Sequence, residues 1–229
     1  MEQWYEIEAG KMTAENNSAF DLWNRCYSGI YRANLYLQKQ EEINWETEGL
    51  KERFEAEARF LRGYFYWDLV RHYGWAPIIT EVLPSVEDYK SLTQNTPDEL
   101  YTQVATDLLA AINGLPNTVA DSEKGRVTKY AAQALLARIY LYHEGFAKVV
   151  LNTGNFTDGT TVIDKAYVQG ALENIITTSP HRLLDNYADV LHGNLKTLMS
   201  QFWNFNIQLK TIQVIGEAGV LMVISLQPG

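Results

Sequence analysis

Apolar residues recur at three- and four-residue spacing along most of the chain, the period of amphipathic helices. The first helix is predicted to start at Ser18, an N-cap with Asp21 three residues on, and to run to about residue 40. Phe20, Trp23, Tyr27, Ile30, Tyr31, Asn34 and Leu35 form its stripe. After the polar connector "QEEINWETEG", a second helix is predicted over 49–73. It carries two stripes, one of Phe54, Ala58, Leu61, Phe65 and Leu69, the other of Phe60, Tyr64 and Trp67. A helix apolar on two sides is sandwiched between neighbours, and Ala56 and Gly63 leave room for a close backbone approach. Gly74 is placed to end it, and Pro77 prevents its resumption.

In "NTPDELY", Thr96 caps a third helix, Pro97 occupies its first turn, and Glu99 closes a capping box. Leu100, Val104, Leu108 and Ala111 form its buried stripe, and "NGLP" stops it. Thr128 caps a fourth, "KYAAQALLARIYLYHE". There Ala131, Ala132, Ala134 and Ala137 permit tight contact, while Leu135, Leu136, Ile139 and Tyr140 fill space. A Gly/Thr-rich loop over 152–161 precedes a fifth helix at about 163–178. Paired helices with small residues at their crossings read as a tetratricopeptide-like array of irregular spacing. The expected class is all-α, a helical-repeat core with long loops.

Composition narrows the partners. Of the 229 residues 46% are hydrophobic and 21% charged, ordinary for a globular domain. The formal charge of −9 argues against nucleic acid or anionic lipid, which need a basic footprint. Cys26 is the only cysteine, so an internal disulfide is excluded, and its place on an apolar helix face makes it buried and inert. No apolar run reaches the roughly 18 residues of a membrane span. The chain as given shows no signal peptide and no cysteine near its start to carry a lipid.

Catalytic chemistry finds no foothold. His72, His143, His181 and His192 are scattered without ligand spacing, and His72 near a helix end suits the helix dipole. No phosphate loop, nucleophile elbow or marked carboxylate pair occurs. The strings "NNS", which contains Asn17, and "NFT" at Asn155 match the glycosylation pattern, which matters only in a eukaryotic secretory setting. The expectation is no enzyme, no cofactor and no metal.

The stretch "AEARFLRGYFYWDLVRHYGWAPII", residues 56–79, resembles the hallmark segment of the SusD/RagB family of Bacteroidota outer-membrane nutrient-binding lipoproteins. "WNRCYSGIYRAN", "GRVTKYAAQALLARIYLY" and "LLDNYADVL" resemble further family segments at fitting distances, so the likeness spans about 18–191. It implies a tetratricopeptide-like core bearing glycan-binding loops and a location on the cell surface. It also implies oligosaccharide or polysaccharide as ligand and a TonB-dependent, SusC-like transporter as partner. Family members bind without catalysis. The alternative is a helical protein–protein interaction module that binds no glycan; a glycoside hydrolase would instead have to show turnover.

The chain departs from the family pattern at both ends. The lipid anchor and the segment before Trp4 are lacking, and the chain stops where a typical member is about half complete. From about Asn194 the likeness fades into "LKTLMSQFWNFNIQLKTIQVIGEAG". A shift of reading frame would explain residues 195–229 and make "GVLMVISL" an accidental apolar segment, not a designed strand. The expected divisions are a loop segment over 1–17, an incomplete helical domain over 18–194 and an atypical tail over 195–229. Helical spacing assigns Phe60, Tyr64, Phe65 and Trp67 to the core. Candidate ligand contacts therefore lie outside the helices: Trp75 in the turn after the second helix, and Trp4, Tyr5, Asn16 and Asn17 before the first.

Overall fold

A computed structural model describes residues 6, 8–11, 13, 17–181, 211–215 and 221–225. Among the described residues the α-helices from Asn17 onward are, in order, α1 (Asn17–Lys39), α2 (Leu50–Tyr73), α3 (Val86–Lys90), α4 (Pro97–Gly114), α5 (Lys129–Tyr142) and α6 (Lys165–Thr178). The helical core matches the all-α expectation. Helix α1 already includes Asn17, so Ser18 lies inside it and not at its cap. Thr96 and Glu99 form the expected capping box of α4, and Thr128 caps α5 by accepting from the Ala131 N–H.

Helix α2 is the centre of the molecule. Every residue from Phe60 to Val70 is buried, because α1 covers one side and α4 another. Phe60, Tyr64, Phe65 and Trp67 are all core residues, as their spacing requires. A Cβ at Gly63 would stand 3.2 Å from Asp107 Cβ and 3.3 Å from Leu108 Cγ, so the α2–α4 crossing is as close as the small residues imply. Gly74 ends α2 with φ +75°, where a side chain is strained, and its N–H still reaches the Val70 carbonyl at 3.0 Å.

Four features differ from the sequence reading. Phe20, placed in the α1 stripe, is 63% exposed at the first turn of α1, which lies against the very end of α2, where Tyr73 donates to the Ala19 carbonyl. Helix α3 was not foreseen, although Ser85 and Asp88 form a capping box at its start. The fourth helix does not stop at Glu144 but continues as a π-helix over His143–Leu151, closed by Asn152 in the left-handed region at φ 53°. Finally, Leu221–Ser225, expected to be no designed strand, pairs antiparallel with Thr211–Ile215, Gln213 opposite Val223. Both segments are rich in β-branched residues, which favour extended backbone. The rest of the 195–229 tail, and "LLDNYADVL", lie outside the described residues.

His143 opens the π-helix fully buried, stacked on Phe156 at 5.4 Å and meeting the edge of Tyr101 at 4.7 Å. Its Nε2 lies 3.2 Å from Thr153 Oγ1 and its Nδ1 3.3 Å from Glu144 Oε1. Burial holds its pKa below the ordinary value despite the Glu144 carboxylate. The unfolded chain takes up this proton near pH 6.5, so stability present above about that pH is lost as pH falls toward the lowered folded value. We therefore expect the urea midpoint to drop between about pH 7.5 and pH 5.5, and to drop less in His143→Gln. Equal drops in both proteins would show that His143 contributes nothing to the pH dependence.

Candidate functional site: an aromatic cleft beside the first helix

Residues four apart share a helix face, and α1 places Trp23, Tyr27 and Tyr31 in one such row. The opposing wall is the chain that leaves α2. Beyond Gly74 it runs extended through Pro77 and Ile79 to Glu81, then folds back through α3, which brings Tyr89 and Leu92 to the rim. Between them lies a cleft of about 240 Å³, lined also by Ile30 and Asn34.

Hydrogen bonds hold this wall in place. The Tyr27 hydroxyl donates to the Pro77 carbonyl at 2.7 Å. Asn34 Nδ2 donates to the carbonyls of Ile79 and Glu81 at 2.8 and 3.4 Å. The Tyr66 hydroxyl, from inside α2, accepts from the Ile79 N–H and donates to its carbonyl, both at 2.7 Å. On the other edge Asn95 accepts from the Ile78 N–H at 2.9 Å, and Tyr89 Oη accepts from the Leu83 N–H at 3.1 Å.

Beneath the wall sits a buried ion pair. Arg62 Nε and Nη2 donate to the two Asp107 carboxylate oxygens at 2.8 and 2.7 Å. Arg62 Nη1 donates to Asn34 Oδ1 at 2.8 Å and to the Thr80 carbonyl at 3.2 Å. Gln103 adds a donor to Asp107 at 2.9 Å. Burial acts to lower the Arg62 pKa, but the bidentate carboxylate outweighs it and the pKa is raised. One guanidinium thus ties α1, α2, α4 and the cleft wall together.

The rings themselves are anchored yet open. Trp23 packs on Tyr27 at 4.8 Å and edge-on to Tyr73 at 5.1 Å. Tyr31 is 45% exposed and lines the cleft. Fixed aromatic faces around a concave surface, with a carboxylate such as Glu81 on the rim, suit a ligand that has both flat apolar faces and hydroxyls.

The candidates read from the sequence fall elsewhere. Trp75 is 45% exposed in the turn after α2, its N–H bonded to the Tyr73 carbonyl at 2.9 Å, and it does not line the cleft. Asn17 is exposed at the start of α1, also away from it. Trp4, Tyr5 and Asn16 lie outside the described residues. The cleft residues Trp23, Tyr27 and Tyr31 were read as core stripe, and Tyr89 was not singled out. The available signal was the width of the α1 stripe, broader than one neighbouring helix can cover. Cys26 is buried, and burial, with Asp68 nearby, pushes its thiol up to about 12, so it stays protonated. Among the described residues no group of His, Cys, Asp and Glu is placed to hold a metal, and no helix is long and apolar enough to cross a membrane.

A family described as SusD-like, starch-binding and associating with the outer membrane, matches residues 1–141, more than half of the chain. The chain belongs to the SusD-like family. SusD-like protein P25 of Formosa agariphila is 28% identical over 210 residues, 92% of this chain and 36% of that protein. A SusD-like protein of Bacteroides ovatus is 26% identical over 205 residues, 84% of this chain and 34% of its own length. The chain thus spans about a third of these SusD-like relatives, less than the half expected from the family pattern. Among solved structures, a laminarin-binding SusD-like protein superposes with a TM-score of 0.62 at 31% identity, over 75% of this chain and 34% of that one. A SusD-like carbohydrate-binding protein of Bacteroides fragilis shares the fold, with a TM-score of 0.67 at 24% identity over 82% of this chain and 33% of its own.

Proposed function

We propose that the protein binds an oligosaccharide, without turning it over, as part of an outer-membrane nutrient-uptake complex with a TonB-dependent, SusC-like transporter. The observation that carries this reading is the open aromatic cleft, lined by Trp23, Tyr27 and Tyr31 at four-residue spacing along α1. Sugar rings present apolar C–H faces that stack on such plates, and their hydroxyls find polar atoms at the rim. Membership of a carbohydrate-binding family supports the ligand class, and the laminarin-binding relative supports a glucan as first probe. Trp75, Trp4, Tyr5, Asn16 and Asn17 are proposed as further contacts along a longer glycan. Attachment to the outer membrane through a lipid anchor is part of the same proposal.

Affinity electrophoresis through gels containing laminarin or other neutral glucans tests the proposal. Tyr31→Ala is expected to weaken retardation by roughly two- to tenfold, the worth of one aromatic stacking contact of about 0.5–1.5 kcal/mol. Because Tyr31 is exposed, its removal should leave the fold intact. Firm binding to the transporter, with no retardation by any polysaccharide, would replace this reading with the interaction-module alternative.

A further inference from the structure

The cleft beside α1 is uneven in what it can still bond. Most acceptors of its far wall are already engaged. The Pro77 carbonyl receives Tyr27, the Ile79 carbonyl receives Asn34 and Tyr66, and the Glu81 carbonyl receives Asn34. Asn34 is engaged at both ends of its amide, because its Oδ1 receives Arg62. The Tyr27 hydroxyl is held by Pro77, and Tyr89 Oη already accepts from the Leu83 N–H. What the cleft offers a ligand is therefore four aromatic residues, Trp23, Tyr27, Tyr31 and Tyr89, and one charged residue, Glu81.

The sign of that charge decides what these residues can receive. Glu81 is exposed and forms no ion pair among the described residues, and no Lys, Arg or His lines the cleft. Arg32 and Lys90, next in sequence to Tyr31 and Tyr89, do not line it, and Lys90 is bound by Glu87 at 2.7 Å. A carboxylate only accepts hydrogen bonds, and the faces of aromatic rings attract cations. An anionic ligand would meet a like charge with no counterion, and a neutral one gains no more than a hydrogen bond from Glu81. An ammonium group gains the opposite charge, a charge-assisted hydrogen bond and the attraction of the rings together. The net charge of −9 adds a general pull on cations.

We propose that the cleft selects an amino-substituted oligosaccharide, whose ammonium group is received by the aromatic residues Trp23, Tyr27, Tyr31 and Tyr89 and pairs with Glu81. This rests on the oligosaccharide reading above and gives that ligand its charge class. The sugar rings still pack on the aromatic residues, so a neutral glucan binds the same cleft more weakly.

Titration calorimetry on the full chain at about pH 6, where an amine of ordinary basicity is protonated, provides the test. The probes are a glucosamine oligosaccharide, its fully N-acetylated counterpart of equal length, laminarin, and an oligolysine of the same charge as the first. The free amine is expected to bind roughly tenfold more tightly than the acetamide, with the difference shrinking as salt rises. Glu81→Gln should reduce that ratio to about two- to threefold, the share left to the rings, and Glu81→Asp should restore part of it. Glu81→Lys should reverse the order of the two sugars. Glu81 is exposed, so these variants should keep the fold, and thermal melts check that they do. Equal binding of amine and acetamide, or a preference untouched by Glu81→Gln and Glu81→Lys, would overturn the charge class while leaving glycan binding standing. Oligolysine binding as tightly as the amino sugar would overturn the sugar assignment. Failure of every oligosaccharide to bind, laminarin included, would overturn both readings.

Discussion

Asp107→Ala is expected to destabilise the protein by about 3–5 kcal/mol, a large share of the roughly 5–15 kcal/mol that holds a domain together. Asp107 is fully buried and receives both Arg62 and Gln103. Truncation leaves the Arg62 cation in the interior with no counterion, because the remaining partners, Asn34 and the Thr80 carbonyl, are neutral. Asp107→Asn keeps the shape but loses the charge, and should fall between wild type and alanine. The double variant Arg62→Met/Asp107→Leu separates stability from positioning. A buried ion pair is often no more stabilising than well-packed apolar groups, so much of the lost stability should return. The cleft wall, however, loses its tie at Thr80, so binding in the cleft should stay weakened. Urea unfolding followed by circular dichroism, beside laminarin affinity electrophoresis, measures both. An alanine variant within about 1 kcal/mol of wild type would refute the role assigned to this pair.

The second large effect is expected at Gly29, where α1 crosses α2. A Cβ there would stand 2.1 Å from Phe65 Cε2 and within 2.5 Å of two more ring carbons. Phe65 is itself buried in the core, so the ring cannot swing into solvent. Gly29→Ala should therefore cost about 1–3 kcal/mol through overpacking, even though alanine is the better helix former. Phe65→Ala alone leaves a cavity and should cost about 3–5 kcal/mol. In the double variant the new methyl enters the emptied space, so the loss should be clearly smaller than the two single losses added. Simple additivity would mean that the crossing relaxes around the extra methyl, and that Gly29 is not needed for close approach.

These two sites mark where reading the chain by pattern succeeds and stops. The small residues Ala56 and Gly63 and the double stripe of α2 were legible, because close crossings and two-sided burial leave a composition signature. Arg62 and Asp107 were not, because a charged residue in a helical stripe looks like a solvated one until its partner, 45 residues away, is known. The π-helix escaped for a related reason: its apolar spacing continues that of α5, and the change of hydrogen-bond pattern has no separate residue code.

For the site the balance is different. Trp75 was singled out because it stands beyond a helix end, and it is exposed as that position implies. Trp23, Tyr27 and Tyr31 were assigned inward because periodicity reports which face a residue shares, not how far the neighbouring element extends to cover it. By itself, the amino-acid sequence determined the five longer α-helices, the caps at Thr96 and Thr128, the buried core of α2 and the family, since all of these follow from local spacing and short-range chemistry. Only the tertiary structure decided that the α1 row borders an open cleft and that one buried arginine holds its far wall. Each of those depends on where chain segments far apart in sequence come to rest, and no local pattern encodes that separation.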